Sequence, residues 1–150
     1  MTQTESGAAG GAKARGSRRR AREFALQGLY QWLVGRQDAR AILAHLEESD
    51  DYAAAEEDYV AELLRGVIDH ATQLSAALEP LLDRAAKALS PVEHAILLIG
   101  AYELLHRPEI PRRVVINEAV EIAKSYGGTD GFKYVNGVLD RLAATARPIG

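Results

Sequence analysis

"VEHAILLIGAYELL", residues 92 to 105, is apolar almost all the way round a helix. At helical spacing Ile96, Leu98, Ile99, Tyr102 and Leu105 fall on one side, and Leu97, Gly100, Ala101 and Leu104 fall on the other. A helix with no face left for water has to be wrapped by other elements, so this stretch predicts a central helix inside a helical fold. Its start is marked by "SPVE" at 90 to 93: Ser90 at the N-cap, Pro91 at the first helical position, and Glu93 three residues after the cap, the pattern of a capping box.

Outward from this helix the periodicity stays helical, and no alternating β-branched run suggests a strand. Helical segments are expected over 18–34, 38–48, 55–77, 79–87, 91–106, 112–126 and 130–145. The prolines of "RPEIP" (107–111) and the glycines of "GGTDG" (127–131) separate the last three, with Thr129 or Asp130 as the next N-cap. The last segment carries one apolar stripe, Phe132, Val135, Val138, Leu139 and Leu142, which leaves Lys133, Tyr134, Asn136 and Asp140 toward its flanks. The fold class is therefore all-α. The opening "MTQTESGAAGGAKARG" is small, polar and glycine-rich, and residues 1–17 are expected to be a disordered extension before a helical domain over 18–147.

With 150 residues the chain can bury one core of ordinary size. It contains no cysteine, which excludes a disulfide framework, thiolate catalysis and cysteine zinc sites. No apolar run is long enough for a membrane span, and the amino terminus lacks a signal-peptide core, so a soluble cytoplasmic protein is expected. The four histidines, at 45, 70, 94 and 106, include no pair three or four residues apart. No metal face follows. Phosphate-binding loops and nucleophile elbows are absent too, so neither an enzyme nor a cofactor is expected.

Charge is where the sequence is uneven. Residues 13–22 hold six of the 18 basic residues and no acid, whereas residues 23–150 hold the other 12 against 20 acids, a sum of −8. Arg18, Arg19, Arg20 and Arg22 lie at the expected start of a helix, where the dipole favours acids. Their placement there points to an external polyanion, and a phosphate-binding patch is expected, with a solubilising charge run as the alternative. Single-stranded RNA also needs ring stacking, which "FKYVNG" at 132–137 offers through Lys133 and Tyr134. Tyr134 fits two readings equally, a stacking platform or a core-edge residue.

Three stretches together resemble the NusB family of bacterial antitermination factors: "RRRAREFALQGLYQW" (18–32), "LSPVEHAILLIGAYEL" (89–104) and "VVINEAVEIAKSYGGTDGFKYVNGVLDRL" (114–142). The last is the most specific, since "INEAVEIAK" followed closely by "KYVNGVLD" is near a family signature. The resemblance implies about seven helices in two perpendicular three-helix bundles. It implies binding of single-stranded boxA RNA together with the small-subunit ribosomal protein that acts as NusE. It further implies entry into the RNA polymerase antitermination complex, notably in ribosomal RNA operons. By the same resemblance RNA would lie along Arg18, Arg19, Arg20 and Arg22 and along Asp130, Lys133 and Tyr134, and the protein partner would touch Tyr30 and Glu93. Each has a plainer reading: Asp130 as a helix cap, Tyr30 as a core-edge tyrosine, Glu93 as the capping-box acid. Two other functions compete, a helical protein-interaction module without RNA, and a NusB-like domain of the kind fused to ribosomal RNA cytosine methyltransferases.

Overall fold

A computed structural model describes residues 6–83 and 89–147, with side chains from residue 16 onward. All regular structure among the described residues is helical: α1 (Ser6–Gly35), α2 (Ala39–Leu46), α3 (Glu57–Asp69), α4 (Ala71–Leu78), α5 (Pro91–His106), α6 (Arg112–Tyr126) and α7 (Gly131–Ala146). Short 3-10 turns sit at Tyr52–Ala54 and Glu79–Leu81.

As its sequence predicts, α5 is the central element, packed against α1, α3, α4, α6 and α7. Every residue from Ala95 to Leu104 is buried. Around it the helices form two mutually packed triplets, α1 with α2 and α3, and α5 with α6 and α7, while α4 bridges α3, α5 and α7. Ser90 caps α5 as expected, its hydroxyl accepting the Glu93 amide at 3.1 Å with Pro91 in the first turn. The far end of α5 is closed by the Arg147 guanidinium, which donates to the carbonyls of Glu103, Leu104, Arg107 and Ile110. Leu104 is among the carbonyls that a helix terminus leaves without an intrahelical donor, and Arg107 and Ile110 belong to the connection that follows.

Two glycines let helices approach closely. A Cβ on Gly66 of α3 would come within 2.5 Å of the Tyr102 ring on α5, and one on Gly100 of α5 would come within 2.7 Å of Leu139 on α7. The α7 stripe is buried at Val135, Val138, Leu139 and Leu142, whereas Phe132 is only partly covered.

Three expectations differ from the structure. Helix α1 begins at Ser6, so the backbone of residues 6–17, expected as disordered extension, continues the helix; residues 1–5 lie outside the described residues. The chain has no proline before Pro80, and its alanine, lysine and arginine residues favour helix enough to offset glycines that each cost about 1 kcal/mol. The expected 55–77 segment is two helices broken at His70, whose backbone (φ −109°, ψ 18°) leaves the helical well and whose Nδ1 lies 2.9 Å from the Gly66 carbonyl. The expected 79–87 helix is a 3-10 turn at its start, with 84–88 outside the described residues. No helix among the described residues is long and apolar enough to cross a membrane.

Candidate nucleic-acid interface

The new start of α1 changes the electrostatic reading of the arginines. They lie more than three turns inside the helix, beyond the first-turn reach of its dipole. Their counter-charges come instead from acids that the fold delivers from distant parts of the chain. Arg18 Nε donates to Glu56 Oε2 at 3.2 Å, and its guanidinium lies 4.2 Å over the Tyr59 ring. Arg19 is bidentate on Glu118 of α6, through Nε at 2.9 Å and Nη2 at 2.8 Å. Arg20 pairs with Glu23 at 2.7 Å and with Asp51, and it covers the Phe24 ring at 4.6 Å.

Arg22 must be corrected as a phosphate contact. Its side chain is 4% exposed and its Nε donates at 2.9 Å to Glu103, which is 1% exposed. The same carboxylate oxygen accepts the Tyr59 hydroxyl, and Arg22 Nη1 lies 3.6 Å from Glu118. A guanidinium enclosed this way holds α1 to α5 and α6. It has no surface to offer a ligand. The helical period explains the placement: Arg22 follows Ala21 and precedes Phe24 and Ala25 on the buried face, while Arg18, Arg19 and Arg20 keep exposed area.

Two of the carboxylates that meet Arg19 and Arg20 have shifted ionisation. The Glu118 carboxyl is held below its usual range, first by hydrogen bonding to Arg19 and against opposing burial. The Asp51 carboxyl is also lowered, first by the Ser49 hydroxyl and then by Arg20. Burial, then Glu103, pushes the Tyr59 hydroxyl upward.

At the other end of the candidate site, Lys133 projects into solvent from the first turn of α7, 3.4 Å from Asp130. Asp130 occupies the N-cap position with a left-handed backbone (φ 66°), and its side chain makes no capping hydrogen bond. The cap reading is thereby corrected: a carboxylate in that conformation turns toward Lys133 and away from the helix amides. Tyr134 is half-buried and packs on the core edge, so any stacking would use only its outer part.

Tyr30 lies 41% exposed on a groove of about 510 Å³ whose walls include Arg20, Leu26 and Gln31 of α1, Val92 of α5 and Tyr126 at the end of α6. Glu93, next to Val92, turns away from solvent: it is 9% exposed, with Oε2 only 2.6 Å from where a Cβ on Gly131 would stand. The structure therefore brings Tyr30 and Arg20 to one groove and sets Glu93 behind its wall.

Sequence reading missed the acids Glu56, Glu103 and Glu118 and the groove residues Val92 and Tyr126. Glu103 carried a usable signal, since it is a lone acid in the middle of the most apolar helix and requires a buried cation. The other four depend on long-range packing that no local pattern encodes. Among the described residues no group of three or more histidines, cysteines or carboxylates could hold a metal ion.

Comparison with known proteins identifies the family. The model of the NusB family matches residues 19–144. The transcription antitermination protein NusB of Thiobacillus denitrificans is 55% identical over 134 residues, covering 89% of this chain and 92% of that protein. NusB of Bordetella pertussis is 56% identical over 140 residues, 91% of each. Among solved structures, T. maritima NusB superposes with a TM-score of 0.73 at 33% identity, over 83% of this chain and 89% of that one. A chain from the crystal structure of antitermination factors NusB and NusE in complex with double-stranded RNA shares the fold, with a TM-score of 0.74 at 23% identity over 85% of this chain and 96% of that one.

Proposed function

This chain belongs to the NusB family of transcription antitermination proteins, and we propose that it carries out that role by holding single-stranded RNA on Arg18, Arg19, Arg20, Lys133 and Tyr134. The observation that carries this reading is the split within the arginine cluster. Arg22 is consumed by the core, whereas its three neighbours within about one turn keep 31–46% of their side-chain surface exposed. Their ion pairs with Glu23, Asp51, Glu56 and Glu118 reach the surface, where phosphate can take the place of a carboxylate. Asp130, next to Lys133, orients that lysine and adds no attraction of its own.

The groove at Tyr30, Val92 and Tyr126 is the surface for the ribosomal protein acting as NusE, and Arg20 on its rim joins it to the RNA track. The acidic body, −8 over residues 23–150, suits a basic ribosomal partner. The assembled complex works on nascent RNA with RNA polymerase, which sets its place in the cytoplasm and asks no turnover of this chain. The methyltransferase-linked alternative is the weaker one, because the relatives above are antitermination proteins matched over nearly their whole length.

Titration with a boxA-type single-stranded RNA tests the site at its more distant end. Tyr134→Ala is expected to weaken binding by about 1–3 kcal/mol if the ring stacks on a base, while Tyr134→Phe, which keeps the π-face, costs much less. Because Tyr134 touches the core edge, thermal unfolding of both variants accompanies the titration. A destabilised alanine variant with unchanged affinity below its melting range would remove Tyr134 from the interface.

A further inference from the structure

The arginines that reach the surface are already paired. Counting Glu23, Asp51, Glu56, Glu103 and Glu118 against Arg18, Arg19, Arg20 and Arg22, the run that looks strongly cationic in sequence is close to neutral in the fold. The Arg19 pair is the most ordered of these. Glu118 engages both the Nε and Nη2 of Arg19, is only 18% exposed, and lies 3.6 Å from Arg22, which is itself fixed to buried Glu103. With Arg22 behind it, this carboxylate is held by two guanidinium groups, where a free surface acid would have at most one. It stays in place as a built-in competitor for the guanidinium.

We propose that Glu118, with Glu56 acting likewise on Arg18, is a specificity-determining residue that suppresses indiscriminate binding of polyanions. The proposal rests on the RNA-binding reading above. A phosphate arriving at Arg19 has to replace a bidentate carboxylate, exchanging one charge-assisted pair for another with little net gain. A polyanion that offers phosphates alone therefore binds weakly. An RNA that also stacks on Tyr134 and contacts Lys133 supplies the additional interaction that tips the exchange. The released carboxylate also takes up a counterion, which offsets part of the counterion release from the RNA and flattens the salt dependence.

The test uses the full chain and a 12-nucleotide oligouridylate, a single strand without a recognition sequence. Glu118→Gln is expected to tighten oligouridylate binding by about two- to fivefold, the worth of an exposed ion pair, and to steepen the log–log salt slope by up to about 0.7. The gain should vanish in an Arg19→Ala background, because only a direct pair is lost there; a general change in protein charge would persist. Glu56→Gln, at a pair with both partners partly exposed, should give the same sign through Arg18 and covers the case in which Glu118→Gln fails to fold. If Arg19→Ala weakens binding while neither glutamine variant strengthens it, the gating proposal is overturned and the RNA surface stands. If Arg19→Ala leaves oligouridylate binding unchanged even with Glu118→Gln already in place, the RNA surface fails and the gate falls with it.

Discussion

Glu103→Ala is expected to lower the unfolding free energy by about 3–5 kcal/mol, the cost of leaving a buried charge without its partner. Arg22 is 4% exposed and has Glu103 as its nearest acid, at 2.9 Å, with Glu118 farther off at 3.6 Å. The Tyr59 hydroxyl, which donates to the same carboxylate, would lose its acceptor as well. The loss should be specific to breaking the network. Replacing it as a unit, with Arg22→Met, Glu103→Leu and Tyr59→Phe together, fills similar volume without an orphaned charge and should recover most of the stability. Urea unfolding of the single and triple variants separates the two cases. A single variant that costs under about 1 kcal/mol would show that the pair is bridged by water and is not buried in the sense argued here.

The second large effect lies one turn earlier on α5, at Gly100. Leu139 is fully buried on α7 and its methyl groups occupy the space that Gly100 leaves open. Leu139→Ala should cost about 2–5 kcal/mol, a lost transfer contribution plus a cavity. Gly100→Ala alone is unfavourable because its Cβ would stand 2.7 Å from Leu139. Once Leu139 is truncated that clash disappears and the new methyl partly fills the void. The double variant should therefore be more stable than the sum of the single changes predicts, by an interaction energy of about 0.5–3 kcal/mol. Strict additivity would mean the two residues are not in the contact described.

How much of this could be read from sequence depended on the range of the interaction. Burial of α5 was legible because an apolar run that covers every side of a helix is a local pattern, and so was its Ser90 cap, a matter of four consecutive residues. The extent of α1 was not: the glycines at 7, 10, 11 and 16 signal disorder in any window, yet a helix held at Ser17, whose carbonyl accepts the Glu56 amide at 3.2 Å, propagates backward through them. That one difference moves the arginines out of the first turn of α1. Their grouping suggested a position opposed by the helix dipole, whereas in the fold they are balanced by Glu23 nearby and by acids 31 to 99 residues away. The outward cations and the inward Arg22 differ only by helical phase, and phase became readable once Phe24 and Ala25 were seen to face the core. Asp130 shows the same limit, since its left-handed backbone, which decides that it does not cap, depends on the turn built by Gly127 and Gly128.

The central claim is that the exposed arginines of α1 are the charge contact with RNA. Its most direct test is the salt dependence of RNA binding by the wild type and by a variant carrying Arg18→Gln, Arg19→Gln and Arg20→Gln, which keeps polar side chains and leaves buried Arg22 in place. Loss of three phosphate contacts predicts a log–log slope shallower by up to about 2, at about 0.7 per contact on a single strand, together with weaker affinity at every salt concentration. A triple variant that remains folded and binds with the wild-type affinity and slope would place the RNA elsewhere on the molecule.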